Sequence, residues 1–186
     1  IRMGIVLELA AALIFIICMC FLLYWGLCWK QGDCAFRIYT GKMTPLTVEQ
    51  MELGTVVFST TVPIRNIGKQ NGTLMDVFSR VYLPCEQYNK VDTHILTMDI
   101  NSPREDNYWE AVIVPKKETI TLQIKLFITG KSGNILRDLD GIPDIPVDVI
   151  YQAVGRSDWY YAKERIYLTS DEMRMALYNF TAGGRP

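Results

Sequence analysis

A single histidine, His94, occurs in 186 residues, and that scarcity removes much of hydrolytic and metal chemistry at the outset. A serine hydrolase would need this residue as its base, and no G-x-S-x-G elbow exists to present a nucleophile. His94 shares a face with Leu96 and Met98 in an alternating run. With no ligand or acid–base partner at recognisable spacing, it reads as a packed or rim histidine. Charge of one sign is also lacking, since 19 Lys and Arg face 20 Asp and Glu for a formal net charge of −1. No positive field is therefore available to hold nucleic acid. The five cysteines contain no C-x-x-C pair. Cys18, Cys20 and Cys28 lie inside an apolar run and Cys34 and Cys85 outside it, which predicts free thiols, with a Cys34–Cys85 bridge as the alternative in an oxidising compartment. No nucleophile, base and orienting group can be assembled, so neither an enzyme nor a cofactor is expected.

What the chain does have is one long apolar run, "VLELAAALIFIICMCFLLYWGLCW", Val6 to Trp29. Crossing a ~30 Å hydrocarbon layer takes ~20 such residues, and from Ile5 to Trp29 the only charge is Glu8, near the start. A cleaved signal has a shorter apolar region followed by small residues. This run instead ends in Tyr24, Trp25, Trp29 and Lys30, an aromatic belt with a basic anchor, which predicts an uncleaved anchor in the lipid bilayer over residues 1–30. Ala10, Ala11 and Ala12, with Cys18 seven residues after Ala11, form a small-residue face for close approach of another membrane-protein subunit. Glu8 is then a snorkelling carboxylate or an ion-pair partner for such a subunit. A literal positive-inside count over Arg2, Lys30, Arg37 and Lys42 places the following domain in the cytoplasm.

Residues 31–54, punctuated by Gly32, Gly41 and Pro45, read as a stalk with a short helix near Val48–Leu53. From Thr55 the period becomes two. Alternating runs over 56–65, 74–83, 91–100, 108–114, 120–128, 147–154 and 159–168 predict about seven strands of a two-layer antiparallel sandwich over 55–168. The run from Ile120 to Ile128 is the clearest, with Ile120, Leu122, Ile124, Leu126 and Ile128 on one face. "NIGKQNG" and "GKSGN" read as turns. "TSDE", Thr169 to Glu172, reads as a capping box opening a short C-terminal helix within 169–186. The fold class expected is mainly β: one N-terminal transmembrane helix, an antiparallel sandwich and a short C-terminal helix.

Two features bear on ligands. Asp138, Asp140, Asp144 and Asp148 crowd the stretch "RDLDGIPDIPVD", an oxygen-rich loop of the kind calcium favours, although the spacing misses the EF-hand pattern. Trp109, Trp159 and Tyr161 lead two aromatic clusters, whose alternation sends some rings into the core and leaves others free for docking or sugar stacking.

The segments "VVFSTTVPIRNIGKQNGTLMDVFSRVYLP" and "VPKKETITLQIKL" together resemble immunoglobulin-like sandwich modules of bacterial cell-envelope proteins and, less closely, the membrane-anchored desiccation-related (LEA type 2) sandwiches. The resemblance spans roughly Thr55 to Leu168. It implies a single-pass protein with an extracytoplasmic, periplasmic-side interaction domain, serving as an accessory or scaffolding subunit of a larger membrane complex. A surface module for a glycan or calcium is the alternative.

Overall fold

The computed structural model describes residues 2–84, 86, 88–104, 106 and 108–183. Helix α1 (Arg2–Gln31) runs unbroken, as no proline precedes Pro45. Along its length up to Leu27 its described apolar residues are exposed: Leu7 is 73 % exposed and Trp25 76 %. A core helix of a soluble protein would bury one face, and α1 buries none. The stretch Gly4–Gln31 is long and apolar enough to cross a membrane, about 40 Å at ~1.5 Å per residue.

The strands are β1 (Phe36–Ile38), β2 (Thr47–Met51), β3 (Thr55–Asn66), β4 (Gly72–Val81), β5 (Val91–Asp99), β6 (Val112–Val114), β7 (Thr119–Gly130), β8 (Ile145–Val154) and β9 (Tyr160–Leu168). One antiparallel sheet has the order β1–β3–β7–β5, with β2 pairing the start of β3 beside β1, and the other has the order β6–β4–β8–β9. The two pack face to face. Phe58 and Val62 of β3 lie opposite Leu126 and Leu122 of β7, and with Leu74, Ile145 and Leu168 they form a core from which water is excluded. Each such side chain contributes about 1.5–3 kcal/mol on burial, which is why the unbroken alternation of β7 sets the register of the whole first sheet.

Each of the seven expected strands has a counterpart, the run expected over 108–114 only as the short β6, with three further corrections. First, β1 and β2 occupy the stretch expected to be a stalk, and β2 replaces the expected helix near Val48–Leu53. Thr47 to Met51 adopt extended backbone because β3 offers them a ladder, Thr47 opposite Ser59 and Met51 opposite Val56. Second, the alternation expected along 74–83 shifts at a bulge between Met75 and Phe78, where Asp76 takes φ +48°. The extra residue puts Leu74 and Val77 in the core and leaves Met75 outside it. Third, "GKSGN" is not a hairpin turn. The chain there passes from β7 in one sheet to β8 in the other through a short helix, α2 (Ile135–Asp138). The turn at 155–159 does close a hairpin, β8–β9.

Helix α3 (Ser170–Ala182) opens with the expected capping box: the Thr169 side chain accepts from the Glu172 amide, and Glu172 accepts from that of Thr169. It buries Met173 and Ala176 against the core. α2 and α3 thus close one pole of the sandwich, and α1 joins the opposite pole.

Candidate interaction surfaces

The join between α1 and the sandwich is a socket. Gly32 ends the helix at φ +64°, a left-handed conformation that glycine adopts without steric cost. Asp33 then places its carboxylate against the β8–β9 turn. It accepts hydrogen bonds from the amides of Cys34 (2.7 Å), Arg156 (2.9 Å) and Ser157 (2.9 Å) and from the Ser157 hydroxyl. Partial burial pushes this carboxyl's pKa upward, but the Ser157 hydroxyl and the three amides outweigh it and hold the group well below the usual carboxylate range.

Asn66, the first residue of "NIGKQNG", is the other half of the socket and is fully buried. Its side-chain amide donates to the carbonyls of Gln70 (2.8 Å) and Val114 (3.1 Å), and its side-chain oxygen accepts from the amides of Gly68 (3.0 Å) and Ala35 (3.4 Å). The Ile67 and Lys69 amides donate to Ala35 and Asp33 carbonyls. Tyr151 donates its hydroxyl to the Phe36 carbonyl (3.1 Å). Burial, followed by nearby Tyr160 and Glu164, raises the Tyr151 pKa to about 12, so the proton of that bond stays in place at any physiological pH. Residues 33–36 are thus threaded between the β3–β4 and β8–β9 turns rather than extended as a stalk, and the β6–β7 turn is tied in through Asn66, whose carbonyl accepts from the Lys117 amide (2.9 Å). A Cβ on Gly68 would stand 2.5 Å from the Ala35 nitrogen and 2.6 Å from the Cys34 Cα, both main-chain atoms. Gly68→Ala is therefore expected to destabilise the domain by about 2 kcal/mol, in the range of overpacking, read as a lowered midpoint in chemical unfolding of the full chain in detergent. Cys34 is buried in this socket, and burial followed by the Asp33 charge pushes its thiol pKa up. Cys85 lies outside the described residues, as does the proposed pairing.

The second surface is the outer face of β4, β8 and β9. Alternation on β9 turns Tyr161, Lys163, Arg165 and Tyr167 outward, opposite Gln152, Ile150, Asp148 and Pro146 of β8, and Arg80 of β4 flanks Asp148 on the other side. Asp148 is only 1 % exposed beneath this row. Arg165 donates to both its carboxylate oxygens (2.6 and 3.0 Å) and Lys163 to one (3.3 Å). The Arg165 hydrogen bonds dominate, and against the opposing effect of burial they lower the Asp148 pKa to about 2. Arg165 also lies over the Tyr82 ring at 5.4 Å and Arg80 over Phe78 at 5.7 Å. Trp159 and Tyr161, 59 % and 57 % exposed, meet edge to face with centroids 5.4 Å apart. A cleft of about 510 Å³ opens beside them, lined in part by Phe78, Arg80, Tyr108 and Tyr161. Tryptophan, tyrosine and arginine are the residues that dominate protein-binding energy.

The other sequence-derived candidates scatter. Trp109 is buried, its Nε1 donating to the Leu74 carbonyl (3.3 Å), and it borders the cleft beside Tyr161. His94 is exposed on β5, 6.0 Å from the Phe127 ring. The four aspartates do not share one loop. Asp138 ends α2 and accepts from the Ser132 amide, Asp144 accepts from that of Ser170, Asp140 offers its carbonyl to Tyr88 and Lys90, and Asp148 lies in β8. Among the described residues no three His, Cys, Asp or Glu side chains converge to hold a metal. Glu8, Ala11 and Cys18 are all exposed along α1.

The family model described as "F420-0:gamma-glutamyl ligase, N-terminal Ig-like domain" matches residues 85–170. The domain is immunoglobulin-like. No curated protein matches the chain. Among solved structures, a Bordetella pertussis protein assigned as ApaA is similar at 13 % identity, with 73 % of this chain and 94 % of that one covered and a TM-score of 0.41. The GAE domain of yeast GGA1 is similar at 11 % identity over 72 % and 90 % of the two chains, TM-score 0.35. A FixG-related protein from Vibrio parahaemolyticus is similar at 9 % identity over 73 % and 94 %, TM-score 0.34.

Proposed function

We propose that this chain is a single-pass membrane protein without enzymatic activity, whose immunoglobulin-like domain acts as an accessory or scaffolding subunit of a larger membrane complex. The observation that carries the reading is the exposed row of Trp159, Tyr161, Tyr82 and Tyr167 interleaved with Arg80, Lys163 and Arg165. Asp148 beneath the row fixes Arg165 and Lys163 in place, so less side-chain entropy is lost when a partner docks. The wholly exposed apolar surface of α1 supports a lipid surrounding, since water-soluble proteins do not leave patches of that size uncovered. The resemblance to envelope modules favours an extracytoplasmic domain, and protease protection in spheroplasts against inverted vesicles measures that side directly.

A glycan or calcium module is less well supported. Sugar platforms need a flat aromatic face, whereas the Trp159 and Tyr161 planes stand at 83°, and the aspartates point to separate partners. Calorimetry of the full chain in detergent with Ca²⁺ and a glycan panel is expected to give no heat.

The test is site-specific photo-crosslinking in intact membranes. A crosslinker at position 161 is expected to trap one membrane protein reproducibly, while one at Glu49, on the opposite sheet, does not. Trp159→Ala with Tyr167→Ala should lower the yield from position 161 at least about tenfold, as two hot-spot truncations would. Equal yields from both faces, or a solitary monomer after gentle extraction, would overturn the reading.

A further inference from the structure

The three turns that form the socket carry an unabsorbed set of charges. Lys69 lies on the β3–β4 turn, Lys116 and Lys117 on the β6–β7 turn and Arg156 on the β8–β9 turn, all exposed. Arg65, also exposed, reaches the Lys117 carbonyl (3.0 Å), and Lys30 ends the last turn of α1. Among the described residues these cations, with Arg37 paired opposite Arg65, share their pole with the carboxylates of Asp33, Glu118 and Asp158, in a chain of formal net charge −1. Asp33 is already taken up by four donors of the protein itself. The molecule is therefore polarised, with its positive end at the pole where α1 leaves.

The placement is close. Arg156 donates to the Gln31 carboxamide and to Cys28 Sγ (2.9 Å), and the Gln70 side chain donates to the Gln31 carbonyl (3.4 Å). The β8–β9 and β3–β4 turns thus stand level with the end of a helix whose last residues include Trp25 and Trp29, 76 % and 89 % exposed, and the β6–β7 turn is joined to them by the Lys117 side chain, which donates to the Ile67 carbonyl (3.0 Å). The headgroup zone adds only about 5–8 Å to each side of the hydrocarbon, so turns touching residues 28–31 fall within it when α1 spans.

We propose that this rim is a second, electrostatic membrane contact, which seats the sandwich on the phosphate groups of anionic phospholipids. The inference rests on α1 crossing the bilayer. Exposed Lys and Arg near an anionic leaflet are attracted individually and add together, and salt weakens them once the Debye length shortens.

The experiment uses the full chain reconstituted in vesicles of phosphatidylcholine alone or with about 30 % phosphatidylglycerol. Amide hydrogen exchange is read on the turns at 67–71, 115–118 and 155–158, with 139–144 at the far pole as internal control. In the anionic vesicles the three turns are expected to exchange at least about threefold more slowly, with the control unchanged. The difference should vanish in about 0.5 M NaCl and in the variant K69E/K116E/K117E. Equal exchange in both lipids would overturn the rim contact, and so would slowing that salt leaves intact. The salt comparison uses the unaltered chain, so the test does not hang on the variant folding. Flotation with vesicles after alkaline carbonate treatment is read in parallel. Failure to float overturns the span and the rim with it, whereas flotation with equal exchange overturns the rim alone.

Discussion

Asn66→Ala should lower the stability of the domain by about 3–4 kcal/mol, the largest effect expected of any single substitution outside the apolar core. The carboxamide serves two amides and two carbonyls at a site from which water is excluded. Leaving a buried polar group unpaired costs about 1–3 kcal/mol each, and relaxation of the turn recovers part of the sum. For a domain of this size the unfolding midpoint falls by about 10 °C, measurable by near-ultraviolet circular dichroism of the full chain in detergent. Asn66→Asp should do no better, since it keeps the shape but presents an acceptor to the carbonyls of Gln70 and Val114. A loss below about 1 kcal/mol would mean that the three turns do not depend on this residue.

Asp33→Asn is expected to cost about 2–3 kcal/mol at neutral pH, because hydrogen bonds to an ionised acceptor are the stronger kind. Its pH dependence separates the role of charge from that of shape. The folded-state pKa lies below the ordinary value of 3.8, so in that interval the unfolded chain binds the extra proton. The stabilisation is complete above pH 3.8 and declines as the pH falls toward the folded-state value. The gap in melting temperature between the two proteins should therefore be constant from pH 7 to about 5 and narrow below about 4. Asp148 titrates in the same acid range, but it does so in both proteins and cancels in the difference. A gap that stays constant down to about pH 2 would rule out the ionised carboxylate as the source.

The parts of this architecture that were legible in the sequence are those in which side chains alternate. β7 declares itself because five branched or long aliphatic residues face one way without a break, and the outward set of β9 follows from the same rule. β1 and β2 give no such sign. They have three and five residues, β2 is largely exposed, and both are held by main-chain bonds to β3, to which side-chain periodicity is blind. The parity of β4 was hidden for a related reason, since a residue at positive φ can be inserted without any change in composition. Trp159 and Tyr161 could be named in advance as surface candidates, and Trp109 could not be told from them, because aromatic content alone does not show which ring finds a carbonyl to bond. The socket was out of reach altogether. Asp33 meets its Ser157 partner across 124 residues, a pairing that only the closed sandwich creates.

Gly32 is the sole residue between the last turn of α1 and the clamped Asp33, which leaves no leash between rod and globule. Rolling the rod about its long axis must sweep the Trp159–Tyr161 face through the same azimuth, and tipping the rod must raise or lower that face. A neighbour packed along Ala11 and Cys18 would thereby choose which direction the distant aromatic row points, so the two contacts act as a single bearing with one permitted heading.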